Sequence, residues 1–150
     1  MQINIAAFGR PAPQGSHDLG SAGQFLDASP YLTAWRVAVK NGAYRAYKSL
    51  AIPASTLPLF PAGTPVTIES CTFYVTDDQC RAAGTDEPLG DPDIDKFLRS
   101  TLDALGGAKD KKKTARLYAD DAQVWRVRDL CKVRATGRTG AFIVVSDGRD

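Results

Sequence analysis

The chain has 150 residues, 43% hydrophobic and 24% charged, with a formal net charge of +2. That length fits one domain that buries its core without staples, and the composition is ordinary for a soluble globular protein. Its three cysteines, Cys71, Cys80 and Cys131, are odd in number and lack CxxC spacing; this argues against a disulfide framework or a structural zinc site and fits a reducing cytosol. The N-terminus lacks the basic n-region of a signal peptide. No apolar run approaches the ~20 residues of a membrane span, so a cytoplasmic protein without membrane contact is expected.

In chain order, Gln2 to Phe8 reads as a first strand, ended by Gly9-Arg10-Pro11. Gly9 to Ala28 reads as a loop. Ser29-Pro30 predicts a helix start, with serine as N-cap and proline in the first turn. Tyr31, Leu32, Trp35, Ala38 and Val39 follow helical spacing, which predicts a helix from Pro30 to about Lys48, with Gly42 as a weak point. Leu50 to Pro65 is a proline-rich connector. The β-branched and aromatic run Val66 to Val75 predicts a second strand, followed by an acidic loop from Thr76 to Gly90.

Asp91-Pro92 repeats the cap-then-proline signal. Ile94, Phe97, Leu98, Thr101, Leu102 and Leu105 then mark one face of a second helix, stopped by Gly106-Gly107. Ala108 to Thr114 is a basic loop. Gln123 to Ala135 alternates: Trp125, Val127, Cys131, Val133 and Ala135 on one face, Arg126, Arg128, Lys132 and Arg134 on the other. This predicts a half-buried strand with a cationic outer face. Thr136 to Gly140 is a turn, and Ala141 to Val145 a last strand. The expected architecture is α+β: a single domain with two main helices on a small mixed sheet, in the order β-α-β-α-β-β.

The charge is unevenly spread. Thr76 to Ala104 carries a balance of −5, and Gly107 to Arg138 a balance of +6. An acidic centre beside a basic surface fits a nuclease better than a DNA-coating protein, which is basic throughout. The acidic clusters are Asp91-Pro92-Asp93-Ile94-Asp95 and Asp120-Asp121. Taken singly, each has a structural explanation: acidic side chains cap helix starts and favour the macrodipole, and Asp is common in turns. Three carboxylates within five residues repel one another, however, and a cation offsets that repulsion. If the helix start and the strand start meet at one edge, Asp93, Asp95 and Asp121 share one or two Mg²⁺ ions, with Asp120 in support. Mn²⁺ is an expected substitute.

Arg99 lies four residues after Asp95. It reads either as an i,i+4 ion pair or as a cation that stabilises charge on a reacting phosphate. Lys111, Lys112 and Lys113 read equally as a solvated run or as phosphate contacts, and Arg126, Arg128, Lys132 and Arg134 as further DNA contacts. The single His17 has no partner at catalytic spacing.

These residues resemble the RusA family of Holliday junction resolvases, common in phages and prophages. The match runs through Pro92-Asp93-Ile94-Asp95-Lys96-Phe97-Leu98-Arg99, Leu102-Asp103-Ala104-Leu105 and Asp120-Asp121-Ala122-Gln123-Val124. The family pattern is D-L-D-N/K at a helix start, D-A-L along it, and D-D-x-Q-V entering a strand. Gly9-Arg10-Pro11-Ala12-Pro13-Gln14-Gly15-Ser16 is similar to the glycine-proline entry of many phage members. The resemblance implies a homodimeric, Mg²⁺-dependent endonuclease that nicks four-way DNA junctions symmetrically in a bacterial host cell. It places metal-binding aspartates at Asp93, Asp95 and Asp121, and a catalytic lysine at Arg99, which keeps the charge but does not give up a proton. Gly15-Ser16-His17-Asp18 stands where many relatives carry Gly-Ser-Lys-Arg. The alternatives are a DNA-binding protein without catalysis and a metal-dependent nucleotide phosphohydrolase. Phe73, Tyr74 and Trp125 read equally as dimer contacts or as core residues.

Overall fold

A computed structural model describes residues 1–14, 17–19, 25–27, 30–80, 88–89, 92–106 and 116–149. Its frame is a five-stranded mixed sheet with two helices on one face. Strand β1 (Gln2–Phe8) buries every second residue, Ile3, Ile5 and Ala7. Short strands β2 (His17–Leu19) and β3 (Phe25–Asp27) pair antiparallel as a separate ribbon, within the stretch read as a loop. Helix α1 spans Leu32–Ser49, with Tyr31 at the N-cap and no side-chain cap bond; Ser29, the expected cap, lies outside the described residues. The helix runs unbroken through Gly42. A Cβ there would meet the Ala6 carbonyl oxygen at 2.4 Å, so the glycine lets α1 lie close on β1.

Strand β4 (Val66–Val75) is the centre of the sheet. Strand β7 (Gly140–Ser146) lies antiparallel between β1 and β4. On the other side of β4 run β5 (Val124–Val127) and β6 (Leu130–Arg134), both parallel to it. They are two pieces of the single strand expected over Gln123–Ala135. The break at Arg128-Asp129 stays tied to β4 by the Arg128 amide on Ile68 oxygen and the Cys71 amide on Asp129 oxygen, both 2.9 Å.

The faces of this edge differ from the expected inside and outside. Val66 pairs with Val124 and Thr67 with Arg126, which leaves Trp125 as the extra residue of a bulge. Its indole is 56% exposed rather than packed inward. Phe73 pairs with Lys132, and Tyr74 with Val133. Laterally paired residues share a face, and Phe73 is buried beneath the helices. Lys132 therefore lies on the helix side, while Cys131 and Val133 lie on the opposite face. Of the β6 cations, Lys132 reaches the start of α2 and Arg134 meets Asp77.

Helix α2 (Ile94–Gly106) packs against α1 and β6. Trp35 donates its indole N–H to Thr101 Oγ1 at 3.1 Å, and the Trp35, Phe73 and Phe97 rings stack in sequence between helices and sheet. The α+β class and the two helices on a mixed sheet are as expected. Among the described residues, Cys71 and Cys131 are free cysteines. No described helix is long and apolar enough to cross a membrane.

Candidate functional site

The start of α2 is fixed from two sides. The Asp93 carbonyl accepts the Lys96 and Phe97 amides at 3.1 and 3.4 Å, and Lys132 Nζ donates to the Pro92 carbonyl at 3.1 Å. Helix start and basic edge strand are thereby joined. The Asp93 carboxylate is exposed and lies 3.6 Å from Lys96 Nζ. Asp95 is exposed in the first turn, and Arg99 is exposed one turn later. Asp91 lies outside the described residues, as do Lys111, Lys112 and Lys113.

The N-terminal entry runs along α2. Ser100 Oγ donates to the Ala12 carbonyl at 2.6 Å, Gln79 Nε2 to the Pro11 carbonyl at 2.9 Å, and the Gln14 amide to the Lys96 carbonyl at 3.1 Å. Arg10 meets Asp78 at 2.7 Å, and its guanidinium hydrogen bond holds the Asp78 carboxyl down at about 2. The Gln14 side chain accepts from Arg36 of α1, whose guanidinium is 3.8 Å from Asp103.

The second acidic segment docks at the far end of α2. The Leu117 amide donates to the Leu105 carbonyl at 2.8 Å, and Tyr118 donates its hydroxyl to the Leu102 carbonyl at 2.7 Å. A Cβ on Gly106 would meet the Tyr118 ring at 2.7 Å, so the bare glycine makes room for it. Burial pushes the Tyr118 hydroxyl well above its ordinary range, and the charges of Asp121 and Asp103 add to the effect.

A short 3-10 turn, Asp121–Gln123, then leads into β5. Asp120 caps it, accepting the Ala122 amide at 2.9 Å. The Gln123 side-chain oxygen accepts the Ala119 and Asp120 amides, both at 2.9 Å. The Gln123 amide nitrogen donates to the Pro61 and Thr64 carbonyls, also at 2.9 Å. One glutamine thus clamps the acidic turn to the proline-rich connector. The Asp120 carboxyl is held below its usual range by that Ala122 amide and by a hydrogen bond with Asp121. Asp121 is raised by burial first, then by its hydrogen bond with Asp120 and the charge and hydrogen bond of Asp103.

The carboxylates therefore stand in two groups along one helix. Asp103, Asp120 and Asp121 gather at its end, and Asp93 and Asp95 stand at its start. Asp95 and Asp103 are eight residues apart, about 12 Å along the axis. Arg99 lies midway between them. Among the described residues no group of three His, Cys, Asp or Glu side chains is arranged to hold a metal ion. The donor chemistry nevertheless suits a hard cation, because Mg²⁺ takes one or two carboxylates and fills its shell with water and substrate phosphate. Asp121 and Asp103 form such an open pair; a closed protein cage does not fit.

Asp103 was within reach of the sequence, since it stands four residues after Arg99 on the same helix face. Arg36 and Tyr118 carry no local signal; only the packing of α1 and of the strand-entry segment on α2 brings them in. Among the candidate DNA contacts, Arg128 pairs with Glu69 at 3.1 Å and Arg134 with Asp77 at 3.2 Å. The Arg126 guanidinium lies 4.3 Å over the Trp125 ring.

No protein-family model matches this chain, and no curated protein matches it significantly.

Proposed function

We propose that the chain is a Mg²⁺-dependent endonuclease selective for branched DNA, acting as a homodimer that nicks four-way junctions in paired strands. The observation that carries this reading is the contact of Asp121 with Asp103 and Asp120 at one end of a helix whose other end bears Asp93 and Asp95. Carboxyl groups in contact are unfavourable while all are ionised, and positive charge placed among them relieves that cost.

Asp121 and Asp103 would hold the cation, with Asp120 in support; Asp93 and Asp95 offer two more oxygen donors toward the incoming phosphate. A bound Mg²⁺ supplies a water of lowered pKa and neutralises charge on the scissile phosphate. Arg99 stands between the two carboxylate groups, where its fixed charge stabilises the anionic phosphorus centre. Arg126 sits on the bulged edge strand as a backbone phosphate contact, with Arg128 and Arg134 exchanging carboxylate for phosphate. Lys132 positions the start of α2. The reading accounts for negative charge concentrated beside a basic edge, which a protein that only binds DNA does not need.

The test is nicking of a synthetic four-way junction, with linear duplex and nucleotides as controls. The wild type is expected to cut the junction in Mg²⁺. Asp121→Asn should abolish cutting and leave junction binding equal or slightly tighter, because one charge facing phosphate is gone. Near-full cutting by Asp121→Asn removes the metal assignment. Binding without cutting by the wild type makes the chain a binding protein, and hydrolysis of nucleotides alone makes it a phosphohydrolase.

A further inference from the structure

The side of the molecule formed by α1 and β1 carries positive charge with few carboxylates to balance it. Residues 28–68 include Arg36, Lys40, Arg45 and Lys48 and no Asp or Glu. Residues 1–17 and 135–146, which contain β1 and β7, have no Asp or Glu either. Arg36 is committed to Asp103. Among the described residues no ion pair engages Lys40, Arg45, Lys48 or Arg138.

Asn41, Tyr44, Arg45 and Lys48 recur at three- and four-residue spacing and are all exposed, so they share one outer face of α1. The close approach at Gly42 sets that face beside β1. Arg45 Nη2 donates to the Ala6 carbonyl at 2.9 Å, and its guanidinium lies 5.4 Å from the centre of the Phe8 ring. Arg138, from the segment between β6 and β7, approaches the same ring at 5.2 Å. Lys48 Nζ lies 4.9 Å over the Tyr44 ring. Phe8 and Tyr44 are each 51% exposed. Cation and ring therefore alternate along one edge: Arg138, Phe8, Arg45, Tyr44, Lys48.

We infer that this edge binds a single strand of DNA, with phosphates on Arg138, Arg45 and Lys48 and unpaired bases on Phe8 and Tyr44. Backbone charge combined with stacking on aromatic rings is how sequence-tolerant single-strand sites work, and arginine planes stack on bases as well. Beside Phe8 a hollow of about 230 Å³, lined also by Tyr74, Arg138 and Phe142, leaves room for a base past the ring. A duplex is the poorer occupant, because its bases are already stacked on one another and offer no free face to a ring. A folded protein is poorer too: the centre of such an interface is depleted in charge, whereas each ring here stands among cations.

Strands β1 and β5 are the ends of the order β1-β7-β4-β5, three spacings or about 14 Å apart. Helix α1 packs on β1 while α2 reaches β6. The strip thus lies across the sheet from Arg126, and a branched substrate would meet the two edges with different parts. The inference rests on the proposed function only for the choice of DNA; the strand site stands without cleavage.

The experiment is fluorescence anisotropy of the full chain with a labelled oligothymidine of about 12 nucleotides, in EDTA. Wild type is expected to bind it more tightly than a duplex of the same length. Tyr44→Ala and Phe8→Ala should each weaken binding on the order of 10-fold, and Tyr44→Trp, which keeps a ring, should not. Arg45→Gln and Lys48→Gln should each reduce the salt slope by about 0.7. Tyr44 is exposed on a helix, so loss of the fold does not explain a loss of binding in its alanine variant. No binding by wild type, or binding unaffected by both alanine variants, overturns the assignment. Polyglutamate held as tightly as the oligonucleotide also overturns it, in favour of an acidic protein partner. Junction nicking in Mg²⁺ is measured on the same proteins. Ring-dependent strand binding by a chain that does not nick keeps this site and rejects the nuclease reading; nicking with ring-independent strand binding does the reverse.

Discussion

The carboxyl group of Asp121, at the entry to β5, lies close enough to that of Asp103, at the end of α2, for Asp103 to add to the burial that raises the Asp121 pKa. Asp121 is the group pushed upward, so it holds its proton to higher pH than an ordinary aspartate.

The sign of the stability effect follows. The folded protein binds this proton more tightly than the unfolded chain, so stability falls as pH rises from the ordinary aspartate range through the raised pKa of Asp121, and stays lowered above it. Asp121→Asn is expected to melt higher than wild type at neutral pH, with the difference vanishing in acid. An exposed like-charge contact is worth a few tenths of a kcal/mol, on the order of 1 °C for a chain of this size. Mg²⁺ should raise the wild-type melting temperature and leave that of Asp121→Asn unchanged. Equal Mg²⁺ stabilisation of both proteins would place the ion elsewhere.

Asp103→Asn and Arg36→Met probe the same pair from the helix side. Asp103→Asn is expected to raise the Mg²⁺ concentration for half-maximal nicking on the order of 10- to 100-fold. Arg36→Met removes the Asp103 ion pair together with the Gln14 hydrogen bond, leaves the carboxylates in place, and should cause a smaller shift in the same direction. A metal titration of nicking reads both. Unchanged Mg²⁺ dependence in Asp103→Asn would confine the ion to Asp93 and Asp95 at the other end of α2.

Gln123 is a structural clamp. Its side chain satisfies two amides and two carbonyls of separate segments. Gln123→Ala strands those groups at about 1–3 kcal/mol, a fall of roughly 2–12 °C in melting temperature. Gln123→Glu keeps the acceptor and loses both donors, so it should fall between the two. Scanning calorimetry orders the three proteins.

Along the basic edge, Arg126 should matter most for DNA. Among the described residues no ion pair engages it, whereas Arg128 and Arg134 must first release Glu69 and Asp77. Arg126→Ala should reduce the salt slope of junction binding by about one, and Arg134→Ala by less. Binding isotherms over a series of salt concentrations decide the order; a slope unchanged by Arg126→Ala puts this edge away from DNA.

Strands β1 and β4 and the start of α2 were legible in the sequence because local periodicity determines them. Alternating apolar residues make Gln2–Phe8 and Val66–Val75 extended, and Ile94, Phe97, Leu98 and Leu105 define a helix face wherever it packs. The aspartates were legible as residue types suited to a hard cation. Which aspartates meet was not, because that depends on where the 116–119 segment docks on α2. Its docking next to Gly106 puts Asp121 on Asp103 rather than beside Asp95. The faces of the last edge strand were also beyond local reading. Alternation shows that Cys131 and Val133 oppose Lys132 and Arg134, but the core side follows from pairing with β4. In that register Lys132 shares the helix side with Phe73, and the apolar pair joins Tyr74 on the opposite face. Periodicity is set by each residue's neighbours in the chain; the side a face turns to is set by partners far away in sequence.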